Sequence, residues 1–208
     1  MDAGSEPCVF LVDDDSSVLR ALKRALSTHG LKVAAYGSAH EFLASYDAGV
    51  EGCLVLDINM PGMSGLELQD VLVDHQCTLP IIFLTGHGDI PASVRAMKQG
   101  AADFLTKPAD TEQLITTILK AFEKCRLDHQ ERAVRVSIEQ RLALLTTRER
   151  QVLEHLIGGK LNKQVAADLG TVEKTIKVHR ARIMEKMQVR SLAELVRLCE
   201  RVGIKPAS

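Results

Sequence analysis

Five short apolar runs alternate with longer amphipathic segments in the first half of the chain. They are CVFLV, LKVAAY, CLVLD, IIFLT and ADFLT, at residues 8–12, 31–36, 53–57, 81–85 and 102–106. Four of these runs are apolar at both odd and even positions, as expected for strands covered on both faces. The segments between them are long enough for helical crossovers. The pattern predicts a doubly wound α/β domain with a five-stranded parallel sheet.

The second half of the chain has a helical pattern. From Thr111 to Gln140 there is no Pro or Gly, and apolar residues recur at helical spacing before the sequence becomes more polar. We expect the last helix of the first domain to continue into a helical linker. Short periodic segments begin again at Leu142 and are interrupted by glycines, which predicts four short helices. The predicted organisation is an α/β domain at 1–123, a helical linker at 124–141 and an all-α domain at 142–208.

The two predicted domains carry opposite charge. The whole chain has a net charge of −1, but residues 1–123 hold 8 basic and 17 acidic residues (−9), and residues 142–208 hold 13 and 7 (+6). This asymmetry indicates an acidic half that attracts cations and a basic half that can approach a polyanion.

Membrane and export signals are not evident in the sequence. No apolar run reaches the roughly 20 residues that span a bilayer, and residues 1–7 are polar and acidic rather than a basic stretch before an apolar core. We therefore expect a cytoplasmic protein that does not bind a membrane.

Polar residues follow four of the predicted strands. Asp13 and Asp14 come after the first strand, Asp57 ends the third, Thr85 ends the fourth and Lys107 follows the fifth. Ligands of open parallel sheets bind at the carboxyl ends of the strands, so these side chains are expected to converge there. Single acidic strand ends are usually solvated loop starts, but five polar positions after four apolar runs favour a site.

The expected chemistry of this site is metal binding and phosphoryl transfer. Crowded carboxylates repel one another, and Mg²⁺ or Mn²⁺ relieves that repulsion with oxygen ligands. We expect Asp14, Asp57 and the carbonyl of Asn59 to bind the metal directly, and Asp13 to help hold it through water. Asp57 is the predicted phosphoacceptor nucleophile.

Two further groups would contact the phosphoryl group. The ammonium of Lys107 would balance its charge, and the hydroxyl of Thr85 would hydrogen-bond one of its oxygens, because phosphoryl transfer is catalysed mainly by positioning and charge stabilisation.

Four segments, LVDDD, LVLDINMPGMSGLEL, IIFLTGHGD and GAADFLTKP, resemble the receiver domain of response regulators, which has the CheY/flavodoxin-like fold. The resemblance implies a cis peptide between Lys107 and Pro108 and makes Phe104 the aromatic switch residue. It also implies that a partner sensor histidine kinase supplies the phosphoryl group to Asp57.

An enzyme is the alternative, because haloacid-dehalogenase-like phosphatases also form an aspartyl-phosphate. Those hydrolases need a general acid and base two residues after the nucleophile. That position is Asn59 here, which cannot exchange a proton at neutral pH. A longer-lived phosphoryl group, suited to signalling, is the interpretation that we prefer.

The segment LTTRERQVLEHLIGGKLNKQVAADLGTVEKTIKVHRARIMEKMQVRSLAEL resembles the LuxR-type helix-turn-helix domain. Thr146 or Thr147 is expected to cap its first helix. Asn162 is expected to cap the second helix, which would cover residues 163–168, and Thr171 to open the third.

The third helix is the predicted recognition helix. Four apolar residues at helical spacing are expected to pack against the core: Val172, Ile176, Ile183 and Met187. The opposite face is mostly basic and polar. A solvated basic helix is the simpler interpretation, but the match to the family favours DNA contact in the major groove. The predicted DNA-binding residues are Lys174, Lys177 and Val178 for the groove, Lys163, Arg180 and Arg182 for the phosphates, and Thr175 by its match to the family.

Together the two domains resemble the FixJ/NarL class of two-component response regulators. The resemblance implies that phosphorylation remodels the fourth-helix face, at residues 90–99, and produces a homodimer. The dimer would bind double-stranded promoter DNA, with RNA polymerase as a further partner, and regulate transcription of a catabolic operon. A DNA-binding regulator that does not depend on phosphorylation is the alternative, and Asp57→Asn separates the two.

Overall fold

The computed structural model describes residues 6–47, 50–75, 77–86 and 90–207, and at Ile90 only the backbone. Strands and helices in this part of the chain follow the order β1 (Cys8–Val12), α1 (Ser16–Thr28), β2 (Lys32–Tyr36), α2 (Ala39–Ser45), β3 (Gly52–Asp57), α3 (Gly65–Asp74), β4 (Ile81–Thr85), α4 (Ile90–Lys98), β5 (Asp103–Thr106), α5 (Thr111–Ala143), α6 (Thr147–Ile157), α7 (Asn162–Asp168), α8 (Glu173–Lys186) and α9 (Leu192–Arg201).

The five predicted strands are confirmed and form one parallel sheet. Their order is β2-β1-β3-β4-β5, as in a doubly wound fold. Val12 of β1 pairs with Leu56 of β3, and Asp57 pairs with Leu84 of β4. The carboxyl ends of these strands therefore lie side by side along one edge of the sheet.

The central strands are covered on both faces because their side chains alternate between two cores. Phe10, Leu54 and Phe83 pack with residues of α2, α3 and α4. Val9 and Ile82 face the other way and pack with residues of α1 and α5. β1, β3 and β4 are buried along their whole length, which explains their unbroken apolar sequences.

The chain divides into two compact units between His129 and Gln130. This point lies within α5, which also contains the predicted linker, residues 124–141. In the second unit, α6, α7, α8 and α9 enclose a separate apolar core, which confirms the four predicted short helices. None of the described helices combines the length and the apolar character that crossing a bilayer requires.

The caps of the second unit correct two predictions. Thr146 caps α6 in a capping box with Glu149, one of the two options that the sequence left open. Asn162 is not a cap but the first residue of α7. The N-cap is Leu161, whose N–H donates to Oε1 of Gln164 at 2.7 Å. The amide oxygen of Gln164 reaches back to this N–H as in a capping box, although the side chain of Leu161 makes no capping hydrogen bond.

The third helix, in contrast, starts later than predicted. The N–H of Thr171 donates to the carbonyl of Ala166 and closes α7, after Gly170 with φ of +63°. Thr171 therefore belongs to the turn, and Val172 is the N-cap of α8.

The predicted apolar stripe of the third helix is correct except at its first residue. Ile176, Ile183 and Met187 are buried, but 64% of Val172 is exposed because it precedes the first helical turn.

Candidate functional site

Three carboxylates meet where β1 and β3 end. Asp13 and Asp57 are buried, with 4% and 6% of their surface exposed, and Asp14 is exposed. One carboxylate oxygen from each of the three lies within 4.8 Å of the others. The parallel register creates this cluster, because neighbouring strands end at the same edge.

Lys107 joins the cluster from the loop after β5. Its Nζ lies 2.6 Å from Oδ2 of Asp13 and 2.9 Å from Oδ1 of Asp57. The N–H of Lys107 donates to the carbonyl of Thr85 at 2.7 Å, and the Lys107–Pro108 peptide is cis, as the family resemblance implies. One ammonium thus bridges the two buried carboxylates.

Burial and hydrogen bonding oppose each other in this cluster. Burial raises the pKa of Asp13, although hydrogen bonds from Lys107 and from the N–H of Asp15 favour its ionised form. For Lys107, burial disfavours the charge, but hydrogen bonds to Asp13 and Asp57 outweigh it and raise its pKa. Three carboxylates facing one ammonium are an oxygen-rich, electron-rich donor set, which fits a hard divalent cation.

The backbone around Asp57 is held closely. The N–H of Asn59 donates to Oδ2 of Asp57 at 3.0 Å, and the N–H of Gly65 donates to the carbonyl of Ile58 at 2.9 Å. A Cβ at Gly65 would overlap the carbonyl oxygen of Asp57. The sequence analysis did not identify Gly65. The capping residues Ser64 and Glu67 mark the start of α3, but the approach to Asp57 is a tertiary contact.

Asp15, the third acidic residue after β1, has a structural role. Its side chain accepts hydrogen bonds from the N–H groups of Ser17 and Val18 and caps α1. The hydrogen bonds from Ser17 lower the pKa of Asp15. Ser, Asp and similar residues before a helical run are a recognisable capping signal.

Thr85 and Phe104 lie on the strands beside the carboxylate cluster. Thr85 ends β4 and is 1% exposed. Phe104 is half-buried in β5, pairs in register with Phe83, and packs against the core that includes α4. Thr85 thus ends the strand next to the strand of Asp57, and Phe104 packs against a core to which α4 contributes.

The fourth-helix face has exposed apolar side chains. Val94 and Met97 of α4 are 46% and 47% exposed. Such residues are available for contact with another protein surface.

The predicted DNA-binding residues lie on α7 and α8 and do not converge on one point. Thr175 and Arg180 are half-buried, and Nη1 of Arg180 lies 3.4 Å from Oδ1 of Asn162 in α7. The exposed residues are Lys163, Lys174, Lys177, Val178 and Arg182. The four of them on α8 recur at helical spacing and form one basic face with a small apolar area.

An ion pair with one buried partner joins α8 to α6, and the sequence pattern did not predict it. Nζ of Lys186 lies 2.7 Å from Oε2 of Glu149 in α6 and donates to the carbonyl of Leu144 at 3.0 Å. Glu149 is 2% exposed. Burial disfavours its charge, but hydrogen bonds from Lys186 and Thr146 outweigh it and lower the pKa of Glu149. The capping box is visible in the sequence, but the lysine partner is not.

Comparison with known proteins identifies both units. Residues 9–119 match the response regulator receiver domain, and residues 143–199 match the bacterial regulatory proteins of the luxR family. The chain is 43% identical to nodulation protein W of Bradyrhizobium diazoefficiens, over 98% of this chain and 89% of that protein. It is also 43% identical to the transcriptional regulatory protein FixJ of Azorhizobium caulinodans, over 96% and 94%.

A solved structure is similar over nearly the whole chain. The structure of the response regulator StyR is 46% identical in sequence and has a TM-score of 0.86, over 95% of this chain and all of that one. The chain therefore belongs to the response regulators, as a FixJ-like transcriptional regulator that joins a receiver domain to a LuxR-type DNA-binding domain.

Proposed function

We propose that Asp57 accepts a phosphoryl group from a histidine of a partner sensor kinase and that this modification controls DNA binding. The observation that carries the proposal is the ammonium of Lys107, held between Asp13 and Asp57 at 2.6 and 2.9 Å. A fixed cation beside the acceptor oxygen is suited to balance the charge that a phosphoryl group brings.

The carboxylate cluster supports a Mg²⁺ or Mn²⁺ site. Asp14, Asp57 and the carbonyl of Asn59 would hold the ion directly, and Asp13 through water. The mutual approach of the three carboxylates within 4.8 Å supports this assignment. When bound, the metal neutralises phosphoryl oxygens.

The side chains of this protein would then perform the following steps. An oxygen of Asp57 attacks phosphorus, the bond from phosphorus to the histidine nitrogen breaks, and that nitrogen keeps the electron pair. The Lys107 ammonium would pair with the phosphoryl oxygens and balance their charge. The Thr85 hydroxyl would donate a hydrogen bond to one of these oxygens. When Thr85 moves, the Phe104 side chain would move too and change the surface of α4. Val94 is exposed on this surface, which supports its contact with a second copy of the chain in a homodimer.

DNA binding would use the basic face of α8. We assign Lys174, Lys177 and Val178 to the major groove of promoter DNA, because a recognition helix presents its exposed face to base edges. Thr175 is assigned to DNA binding by its match to the family. Phosphate contacts are assigned to Lys163, Arg180 and Arg182. A dimer would place two such helices on paired half-sites.

The remaining assignments rest on the family. We propose a receiver at 1–123, a linker at 124–141, a DNA-binding domain at 142–208, a cytoplasmic location and RNA polymerase as a partner. The regulated genes would form a catabolic operon. Asn59 supplies no general acid or base, so we propose no phosphatase turnover.

Sedimentation velocity with Mg²⁺ tests the phosphorylation switch. Wild type and Asp57→Asn are compared with and without beryllofluoride, which stands in for the phosphoryl group. We expect dimerisation of wild type only. A wild type that remains monomeric would contradict phosphate-driven dimerisation. If Asp57→Asn binds DNA and activates transcription like wild type, a regulator independent of phosphorylation is the correct description.

A further inference from the structure

Polar side chains join α3 to the end of α4. On α3, Gln69 is 1% exposed, and its Nε2 donates to the carbonyl of Ala96 at 3.2 Å. The carboxylate of the next residue, Asp70, accepts from Nη2 of Arg95 at 2.9 Å and from Nε2 of Gln99. Two adjacent residues of α3 thus bind three residues at the end of α4. We call these five residues the α3–α4 contact.

The α3–α4 contact lies where α4 ends, shortly before β5. The N–H of Ala101 donates to the carbonyl of Ala96 at 3.0 Å, after Gly100 with φ of +92°, and this closes the helix. Gln69 therefore binds the same carbonyl that ends α4. Phe104, the proposed switch residue, follows in β5 and packs against the core that includes Ala96. A change in the position of α4 on this core would stretch or break the contact.

The same contact leaves two buried oxygens unpaired among the described residues. Oε1 of Gln69 and Oε1 of Gln99 accept no hydrogen bond from this part of the chain, and they have almost no surface open to solvent. A buried acceptor without a donor costs at least as much free energy as one hydrogen bond contributes. The bonds that the contact makes and the oxygens that it leaves unpaired therefore oppose each other. We expect the net free energy that holds α4 in place to be small.

We propose that the α3–α4 contact sets how readily phosphorylation of Asp57 changes the surface of α4. Asp70 is then a positioning residue that holds α4 in the arrangement described here. In a second arrangement the bonds to Asp70 would be lost, and the two glutamine oxygens would be free to gain donors. This inference rests on the proposed function, in which Phe104 moves and α4 changes. A phosphoryl analogue that needs the second arrangement binds more tightly when more molecules already adopt it, so a weaker contact should strengthen its binding.

Titration of beryllofluoride into the ¹⁵N-labelled full-length protein, in the presence of Mg²⁺, tests this role. The backbone signal of Asn59 reports binding at Asp57, and the signals of Ala96 and Gly100 report the end of α4. In wild type we expect all three signals to change with the same midpoint.

Substitutions at Asp70 should shift that midpoint. Asp70→Ala removes the acceptor of both Arg95 and Gln99, and its midpoint should fall about fivefold, the change in an equilibrium that one net hydrogen bond represents. Asp70→Asn keeps one acceptor oxygen and should lie between wild type and Asp70→Ala. The matched control is Asp74→Ala, which removes an exposed carboxylate one turn further along α3 and should behave like wild type.

Urea denaturation separates positioning from a purely structural role. A residue that only stabilises the receiver would lower the free energy of unfolding and leave the beryllofluoride midpoint unchanged. If Asp70→Ala fails to fold, Arg95→Gln removes one partner of the same carboxylate from an exposed position, and its midpoint should fall roughly twofold.

An unchanged or higher midpoint in Asp70→Ala would overturn the proposal, and so would an equal fall in Asp74→Ala. A response of Asn59 with equal midpoints in wild type and Asp70→Ala removes only the role of Asp70. If Asn59 does not respond in wild type, the phosphoryl analogue does not bind at Asp57. The proposed function then fails, and the role of Asp70 fails with it.

Discussion

The carboxylate cluster and the DNA-binding face of α8 both depend on charged side chains, but the charges are placed differently. At the cluster, Asp13, Asp57 and Lys107 come from three separate strand ends and meet with little solvent between them. On α8, Lys177 pairs with Glu173 one turn away, and both are exposed. Water and salt screen the second pair but not the first. The cluster is therefore sensitive to single changes, whereas the helix face acts through the sum of its charges.

The largest effect is expected at the bridging ammonium. Lys107→Met should slow phosphoryl transfer to Asp57 about 100-fold, or about 2.7 kcal/mol. It should also tighten Mg²⁺ binding, because a competing positive charge is removed. Phosphotransfer assays and Mg²⁺ titrations measure the two effects. Lys120→Met, on the exposed surface of α5, is the control. Equal losses of metal binding and phosphorylation would contradict the role of Lys107 as the internal cation.

The next effect tests how closely the backbone at Asp57 is packed. Gly65→Ala should lower the free energy of unfolding by about 2 kcal/mol, because the new Cβ meets the carbonyl of Asp57. Urea denaturation of the receiver transition measures this loss. Gly86→Ala is the control, since its Cβ would meet no described residue within 4 Å. Similar stability of the two variants would show that the α3 start can move without cost.

Breaking the buried pair that positions α8 should have a smaller effect. Glu149→Gln is expected to destabilise the DNA-binding unit by about 1.5 kcal/mol, because Lys186 loses its charged acceptor. Glu173→Gln, which removes the exposed partner of Lys177, should cost about 0.3 kcal/mol. Denaturant melts of both variants make the comparison direct. If the two losses are equal, burial does not strengthen the Glu149 pair.

The same pair predicts a pH dependence. The folded protein lowers the pKa of Glu149, so its contribution to stability is present above the ordinary glutamate value of about 4.3. The contribution is lost as the pH falls through the lower pKa of the folded state. The difference in stability between wild type and Glu149→Gln should therefore close in acid. A difference that grows below pH 4 would contradict this sign.

An effect smaller than that of Glu149→Gln is expected on the exposed DNA-binding face. Arg182→Ala should weaken binding to all DNA sequences by about 1 kcal/mol and reduce the slope of log K against log salt by about 1, as the loss of one phosphate contact would. Fluorescence anisotropy at several salt concentrations measures both. Arg135→Ala, in the exposed part of α5, should leave the slope unchanged.

Local patterns predicted most of the fold but not the helix starts of the DNA-binding unit. The apolar runs located all five strands to within a residue, and β1, β3 and β4 are apolar at successive positions because helices cover both of their faces. Asn162 was misplaced because Gln164 satisfies the N–H of Leu161 and makes Leu161 the cap. Val172 was misplaced because Thr171 closes α7 with its N–H, so that α8 begins later. That hydrogen bond follows from the turn geometry and leaves no mark in hydrophobic spacing.

The candidate site shows the same division. The acidic residues after β1 and β3 and the lysine after β5 were identifiable because each directly follows an apolar strand. Gly65 and the Glu149–Lys186 pair were not, since each depends on a contact between segments distant in sequence.

The sequence by itself determined the two-domain plan, the strand-end location of the carboxylates and the basic character of α8, because periodicity and charge are local properties of the chain. Only the tertiary structure decided that Lys107 bridges Asp13 and Asp57, that Gly65 has no room for a Cβ, and that Lys186 pairs with Glu149. These features depend on distances between separate elements, which the packing of the sheet and helices sets.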